Sequence, residues 1–206
     1  MSEEYEMMVK IVLIGDSTVG KTNIMSKYLK GQFMESSKAT IGVEFHSKIF
    51  NHEGHKINAQ MWDTAGQEKY KSISASYFKG SKGAFIVYDI TKKDTFDSIE
   101  KWLNELKLNG DPGIVTFIIG NKNDLEEFRQ VSKEEGEEKA KSFQCGFLET
   151  SALSGDNIDL AFELMIGQIY DKYSKSSNNE EMLISSNGQD LNLEKAENKK
   201  KKKGCC

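Results

Sequence analysis

The sequence predicts an α/β protein, a mostly parallel sheet with helices on both faces. Three observations carry this. Short apolar runs alternate with segments of helical periodicity. Two of those runs, Gly83 to Ile90 and Ile114 to Ile119, are apolar almost without a break, as strands buried on both faces are. And a glycine-bounded stretch, Gly15 to Thr22, stands between a strand-like run and a helix-like one.

Taken in order, Val9 to Ile14 reads as a short buried strand with one Lys. Asn23 to Leu29 then spaces its apolar residues as a helix does. Gly31 to Thr40 has no periodicity and reads as a loop. Ile41 to Phe50 and Ile57 to Trp62 are two strands, and Asn51-His52-Glu53-Gly54 between them predicts a hairpin turn. After the Gly83–Ile90 strand, Phe96, Ile99, Trp102, Leu103 and Leu106 recur at helical spacing, with Asp94 or Thr95 to cap. Ser132-Lys133-Glu134-Glu135 is a capping-box pattern opening another helix, despite Gly136 inside it. Phe147-Leu148 is a short last strand. Ile158, Ala161, Phe162, Met165 and Ile169 line one face of a final helix, capped by Asp156.

At 206 residues the chain holds one sizeable core plus a tail. No run of 18 apolar residues is present, and no apolar leader opens the chain, so neither a membrane span nor a secretory signal is expected. Cys145, Cys205 and Cys206 form no disulfide framework and suit a reducing compartment. From Ser174 onward seven lysines face five acidic residues, so the formal charge of −4 leaves −6 on residues 1–173. An acidic body argues against nucleic acid as the main partner. Arg129 is the sole arginine.

Gly15-Asp16-Ser17-Thr18-Val19-Gly20-Lys21-Thr22 matches G-x-x-x-x-G-K-[ST], a phosphate-binding loop. Its glycines let successive N–H groups face a phosphate at a helix N-terminus that already favours anions. Lys21 reaches the β- and γ-phosphates in such a loop, and the Thr22 hydroxyl ligates Mg²⁺. Asp63-Thr64-Ala65-Gly66-Gln67-Glu68 follows a strand. There Asp63 can hold Mg²⁺ through a water, the Gly66 N–H can approach a γ-phosphate, and Gln67 can orient an attacking water. In Asn121-Lys122-Asn123-Asp124, the Asp can accept from N1–H and N2–H₂ of guanine, and the Lys122 stem can lie over the base. Adenine lacks that donor pair and would leave a buried carboxylate unpaired. In Glu149-Thr150-Ser151-Ala152, the Ala N–H can meet guanine O6.

These four motifs, in this order and spacing, resemble the Ras-like small GTPases across about residues 7–173. Ile41-Gly42-Val43-Glu44-Phe45, Lys56 to Asp63, Ser76-Tyr77-Phe78-Lys79-Gly80 and Phe147 to Leu153 are most similar to the recycling-endosome branch of the Rab family. The resemblance implies the P-loop NTPase (Ras-like) three-layer sandwich, with a six-stranded, mostly parallel sheet and helices on both faces. It implies GTP and GDP as ligands and Mg²⁺ as cofactor, held by Thr22, Thr40 and Asp63. Catalysis falls to Gln67, Lys21 and Thr40, the last binding Mg²⁺ by its hydroxyl and the γ-phosphate by its N–H. Ser17, Thr18, Val19, Gly20, Lys21, Thr22, Asn23, Phe33, Thr40, Gly66, Asn121, Lys122, Asp124, Ser151, Ala152 and Leu153 would line the nucleotide, with Phe33 at the guanine edge. Leu153 departs from the Lys that many Ras-like proteins carry there. Segments 31–45 and 64–80 would be switches, and Ile41, Gly42, Phe45, Trp62 and Tyr77 an effector surface. By spacing alone Phe45 and Trp62 read as core residues, so partial burial is expected.

Residues 1–6 are expected to be flexible. From Ser174 the pattern stops, and 174–206 reads as a disordered tail ending in Lys199–Lys203 and Gly204-Cys205-Cys206. The ending resembles Rab tails, in which both cysteines are geranylgeranylated. Two chains anchor stably where one is marginal, and five lysines add attraction to anionic lipid. The resemblance further implies an exchange factor, a GTPase-activating protein, a GDP-dissociation inhibitor and effectors as partners. It places the protein on the cytoplasmic face of recycling endosome or trans-Golgi membranes, with a chaperoned cytosolic pool. A P-loop kinase is the rival enzyme, though such kinases use several arginines. A nucleotide-locked module without turnover is the rival outside enzymes, and a Ras-like GTPase of another trafficking route is a further alternative. His46, His52 and His55 read as surface residues and Cys145 as a small core hydrophobe.

Overall fold

The computed structural model describes residues 4–35, 40, 42–64 and 77–174. Six strands form one sheet in the order β2-β3-β1-β4-β5-β6. They are β1 (Met7–Ile14), β2 (Val43–His52), β3 (His55–Thr64), β4 (Gly83–Asp89), β5 (Val115–Asn121) and β6 (Gly146–Thr150). Only β2 runs antiparallel, against β3. The β1–β3, β1–β4, β4–β5 and β5–β6 pairs are all parallel. The hairpin between β2 and β3 closes on two residues, Glu53 and Gly54, both at positive φ (52° and 89°). Such a pair matches the twist of the flanking strands. The strands therefore run two residues further into the turn than the alternation predicts, because His52 still pairs with His55.

Side chains alternate across the sheet and build two cores. On one face Val12, Ile14, Ala84, Ile86, Tyr88 and Ile118 pack beneath helices α2 (Lys93–Asp97), α3 (Ile99–Asn109) and α4 (Lys133–Ser142), through Phe96, Ile99, Leu103, Leu106 and Ala140. On the other, Phe85, Val87 and Ile119 meet Ile24 of α1 (Lys21–Lys30) and Phe162 of α5, which begins at residue 158. Each central strand is thus covered on both faces, which is why β4 is buried throughout. Residues up to 169 belong to one compact unit, and the described residues 170–174, assigned to a second unit, are helical.

Of α1 to α4, only α4 opens on a side-chain cap. Ser132 and Glu135 form the predicted capping box at α4, the serine hydroxyl accepting from Glu135 N at 3.1 Å and the glutamate from Ser132 N at 2.8 Å. Gly136 is tolerated there because a Cβ would lie 2.5 Å from the Phe147 ring. Two predicted caps are not caps. Lys92 precedes α2 with no side-chain cap; Asp94 and Thr95 lie inside that helix, and Thr95 Oγ1 donates to Lys92 O. Asp156 lies one residue too early for α5, and its carboxylate instead accepts from Asn123 Nδ2 at 2.6 Å. Cys145 is half-buried against the α3–α4 core, and burial pushes its thiol pKa up. His46, His52 and His55 are partly exposed; His46 and His55 lie beside Glu44 and Glu6, and the described residues hold no metal-ligand cluster.

Candidate nucleotide site

The glycine loop leaves the sheet at the C-terminal end of β1, beside β4 and β5. Two of its residues are glycines for want of room. A Cβ on Gly15 would lie 2.2 Å from the Val87 carbonyl oxygen, and one on Gly20 would lie 2.3 Å from Asn121 Nδ2. Gly20 also takes φ 102°, a left-handed turn that points the chain into α1 with no side-chain cap and no acid in its first turn. That helix start suits an anion. Lys21 opens α1, is 5% exposed, and donates from Nζ to Gly15 O and Asp16 O, both at 2.8 Å. Burial pushes its ammonium down to about 8, against the pull of Asp63 and Asp16. A buried ammonium held by carbonyls alone is short of negative charge, which phosphate would supply.

Thr22, Thr40 and Asp63 converge from α1, the loop before β2 and the end of β3. Thr22 Oγ1 lies 2.8 Å from Thr40 Oγ1 and donates to Asp63 Oδ2 at 2.5 Å. Asp63 is 1% exposed, and its Oδ1 is buried without a hydrogen-bond partner among the described residues. Burial pushes its carboxyl pKa up, while the Thr22 bond and Lys21 oppose this. Two hydroxyls and an under-satisfied carboxylate, all hard oxygens, fit Mg²⁺.

On the far side of the loop, Asn121 ties three segments together. Its Nδ2 donates to Val19 O at 2.8 Å, and its Oδ1 accepts from Thr150 Oγ1 and Ala152 N, each at 3.2 Å. Asp124 follows in a 3₁₀ segment (Asn123–Phe128) and accepts from Ser151 Oγ at 2.5 Å. The Ala152 N–H thus points to Asn121 rather than standing unengaged. Lys122 takes φ 73° and its ammonium pairs with buried Asp89 at 2.6 Å, which directs its stem. Leu153 is half exposed, and its carbonyl accepts from Lys27 Nζ at 3.1 Å.

Asn23 holds the loop carrying Phe33 by a two-way bond with Met34, through Nδ2 to O (3.3 Å) and Oδ1 from N (3.1 Å). Ser17 and Thr18 are accessible on the loop, Thr18 at φ 66°, and Phe33 is exposed. Phe45 and Trp62 meet edge-on at 5.1 Å and Trp62 and Tyr77 lie 5.8 Å apart, with Gly42 at the start of the same edge. Phe45 is 49% exposed and Trp62 only partly covered, so neither is a core residue. Ile41, Gly66, Gln67, Cys205 and Cys206 lie outside the described residues.

Sequence reasoning missed two contacts. Trp102 on α3 reads as a core residue by spacing, yet its Nε1 donates to Asp16 Oδ1 at 2.9 Å and steadies the phosphate loop. Asp89, at the end of an apolar strand, is the counterion of Lys122. A lone Asp closing a buried run was the available signal for the second; for the first there was none.

Comparison with known proteins matches residues 10–171 to the Ras family. The chain is 48% identical over 177 residues to the Ras-related protein RABA2c of Arabidopsis thaliana, covering 86% of this chain and 82% of that one. It is 44% identical over 207 residues to the Ras-related protein Rab-11A of Dictyostelium discoideum, covering 99% and 97%. With the Ras-related protein Rab11C of Lotus japonicus it shares 46% over 177 residues, covering 86% and 82%. With the Ras-like sheet order, the glycine loop and the base-side cluster already in place, these matches make the chain a member of the Ras family of small GTPases, in its Rab branch beside the Rab11 and RABA proteins.

Proposed function

We propose that this Rab GTPase works as a GTP/GDP switch of recycling endosome or trans-Golgi membranes, slow on its own and accelerated by an activating protein. Residues 7–173 act as the GTPase domain and 174–206 as the anchoring tail, lipidated on Cys205 and Cys206. The observation that carries the reading is the bond from Asn121 Nδ2 to Val19 O, because Asn121 also accepts from Thr150 and Ala152, the residues on either side of the Ser151 that bonds Asp124. A site that joins an anion cradle to a carboxylate able to read N1–H and N2–H₂ fits a guanine nucleotide.

Lys21 would trade its loop carbonyls for the β- and γ-phosphate oxygens, which supply the negative charge that offsets its burial. Thr22, Thr40 and Asp63 would hold Mg²⁺, which when bound neutralises charge on the phosphate oxygens. The Asp124 carboxylate would take the two guanine donors while Ser151 keeps its orientation, and Ala152 would share its N–H with O6. Gln67 orients the water that attacks the γ-phosphate in line, so positioning does most of the catalysis. Phe45, Trp62 and Tyr77, with Ile41 and Gly42, present the effector surface in the GTP state. Exchange factor, activating protein and dissociation inhibitor act on the flanking segments 31–45 and 64–80.

Single-turnover hydrolysis of GTP by the purified full chain tests the enzyme reading, with Gln67→Leu as comparison. Slow turnover, accelerated by an activator roughly 10³–10⁵-fold, is the expected result. Absence of any hydrolysis with or without activator would instead make the chain a nucleotide-locked module.

A further inference from the structure

The chain's only arginine lies on the base side of the site and spends all of its donors there. Arg129 ends the 3₁₀ segment that carries Asp124. Its Nη1 donates to Glu149 Oε1 at 2.6 Å and to Val131 O at 2.9 Å. Its Nη2 donates to Glu149 Oε2 at 2.9 Å and to Glu126 Oε2 at 2.7 Å. Its Nε–H is shared between the two Glu126 oxygens, at 2.8 and 3.0 Å. Five N–H groups is the whole capacity of a guanidinium. The two anchors differ in kind. Glu126 is two-thirds exposed and contributes little, whereas Glu149 is 9% exposed and gives both oxygens to the arginine.

Glu149 is the residue before Thr150-Ser151-Ala152. Thr150 and Ala152 bond to Asn121, and Ser151 bonds to Asp124. The guanidinium therefore bridges, side chain to side chain, the segment that carries Asp124 and the strand end that carries its orienting serine. We propose that Arg129 is a specificity-determining positioning residue: by clamping the 3₁₀ segment to β6 it fixes the spacing at which Asp124 and the 150–153 loop grip guanine. The inference rests on the guanine reading of the site above. Arg129 touches neither the base nor the phosphates in this role; it acts through Glu149 and the turn that holds Asp124. Lysine cannot replace it, because one ammonium offers no planar fork and cannot satisfy two carboxylates and a carbonyl together.

Loss of the arginine alone strands a buried carboxylate and weakens the whole fold, so two variants are needed. In Arg129→Met/Glu149→Leu the buried pair becomes apolar and the fold is retained, as its thermal midpoint will report. In Arg129→Lys the charge stays and the fork is lost. The readouts are competition of GTP against ITP, which lacks the exocyclic amine that Asp124 accepts from, and the rate of GDP release. The preference for GTP over ITP is expected to fall roughly tenfold or more in the double variant, part of the discrimination that a site built for a missing donor supplies. GDP release should accelerate in step, and Arg129→Lys should follow in the same direction. Hydrolysis of GTP already bound is the internal reference, expected to stay within about twofold because the clamp acts on the base side. Wild-type discrimination in a stable double variant, or full rescue by lysine, overturns the clamp. A wild-type chain that binds ATP as well as GTP overturns the guanine reading itself.

Discussion

Lys21 gives the sharpest test of how the phosphate loop stores its affinity. Its ammonium is 5% exposed, bonded among the described residues to Gly15 O and Asp16 O, and pushed down to about 8. The ordinary lysine value is 10.5. Between those pH values the unfolded chain binds a proton that the folded chain has released, so stability must rise with pH across this window. The difference corresponds to about 3 kcal/mol of penalty, fully present below pH 8 and gone above pH 10.5. Lys21→Met removes the charge but leaves two loop carbonyls without a donor, at about 1–2 kcal/mol. The variant should therefore be more stable than wild type by about 1–2 kcal/mol at pH 7 when nucleotide-free, and its advantage should vanish by pH 10. Urea denaturation of the nucleotide-free proteins from pH 7 to 10 measures this. Subtracting one profile from the other removes the other lysines and tyrosines. With Mg²⁺ and GTP the order should invert, because phosphate oxygens supply the negative charge that the buried ammonium lacks and methionine offers them nothing. A difference profile flat in pH, or a methionine variant less stable at pH 7 by several kcal/mol, would refute the account of Lys21 as a strained, phosphate-ready cation.

Asp124→Asn should lose GTP by roughly 10²-fold or more and gain xanthosine triphosphate, whose C2 oxygen needs the donor that asparagine supplies; competition binding decides, and an unchanged preference for GTP would mean that Asp124 does not read the base. Trp102→Phe keeps the ring on α3 but strips the donor from Asp16 Oδ1. It should cost about 1–2 kcal/mol and speed nucleotide release up to roughly tenfold, read by a fluorescent GDP analogue; unchanged release would leave Trp102 as core packing alone. Changing Cys205 and Cys206 together to Ser should leave the protein in the soluble fraction of cells with nucleotide binding intact, and changing one should weaken anchoring without abolishing it. A double variant that still sediments with membranes would refute the two-chain anchor.

Local features were legible because their physics is local. The glycine loop shows itself through a residue type required by its turns, the capping box through a reciprocal pair three residues apart, and the strands of the central sheet through unbroken apolar runs. Each cause lies within a turn or two of its effect, and so it leaves a pattern in adjacent letters. Family resemblance then supplied Thr40 and the aromatic edge, which no periodicity marks. The structure bears out the partial burial expected for Trp62, whereas Phe45 stands exposed.

What holds the site together is of another kind. Asn121 reaches Val19 across 102 positions, Trp102 reaches Asp16 across 86, and Arg129 reaches Glu149 across 20. Such bonds depend on which strands lie side by side, and the parallel order β1-β4-β5-β6 is what delivers their C-terminal ends to one rim. The letters disclose that an Asn, a Trp or an Arg is present, but a single hydrogen bond leaves no trace in the residues around it. Only the folded sheet decides that the arginine faces the strand end before Ser151, that the tryptophan meets the glycine loop, and that Lys122 answers to Asp89. The reason is geometric: in a parallel sheet neighbours in space are separated in sequence by a whole crossover helix, so the partners that shape the site can be named only after the strands are in place.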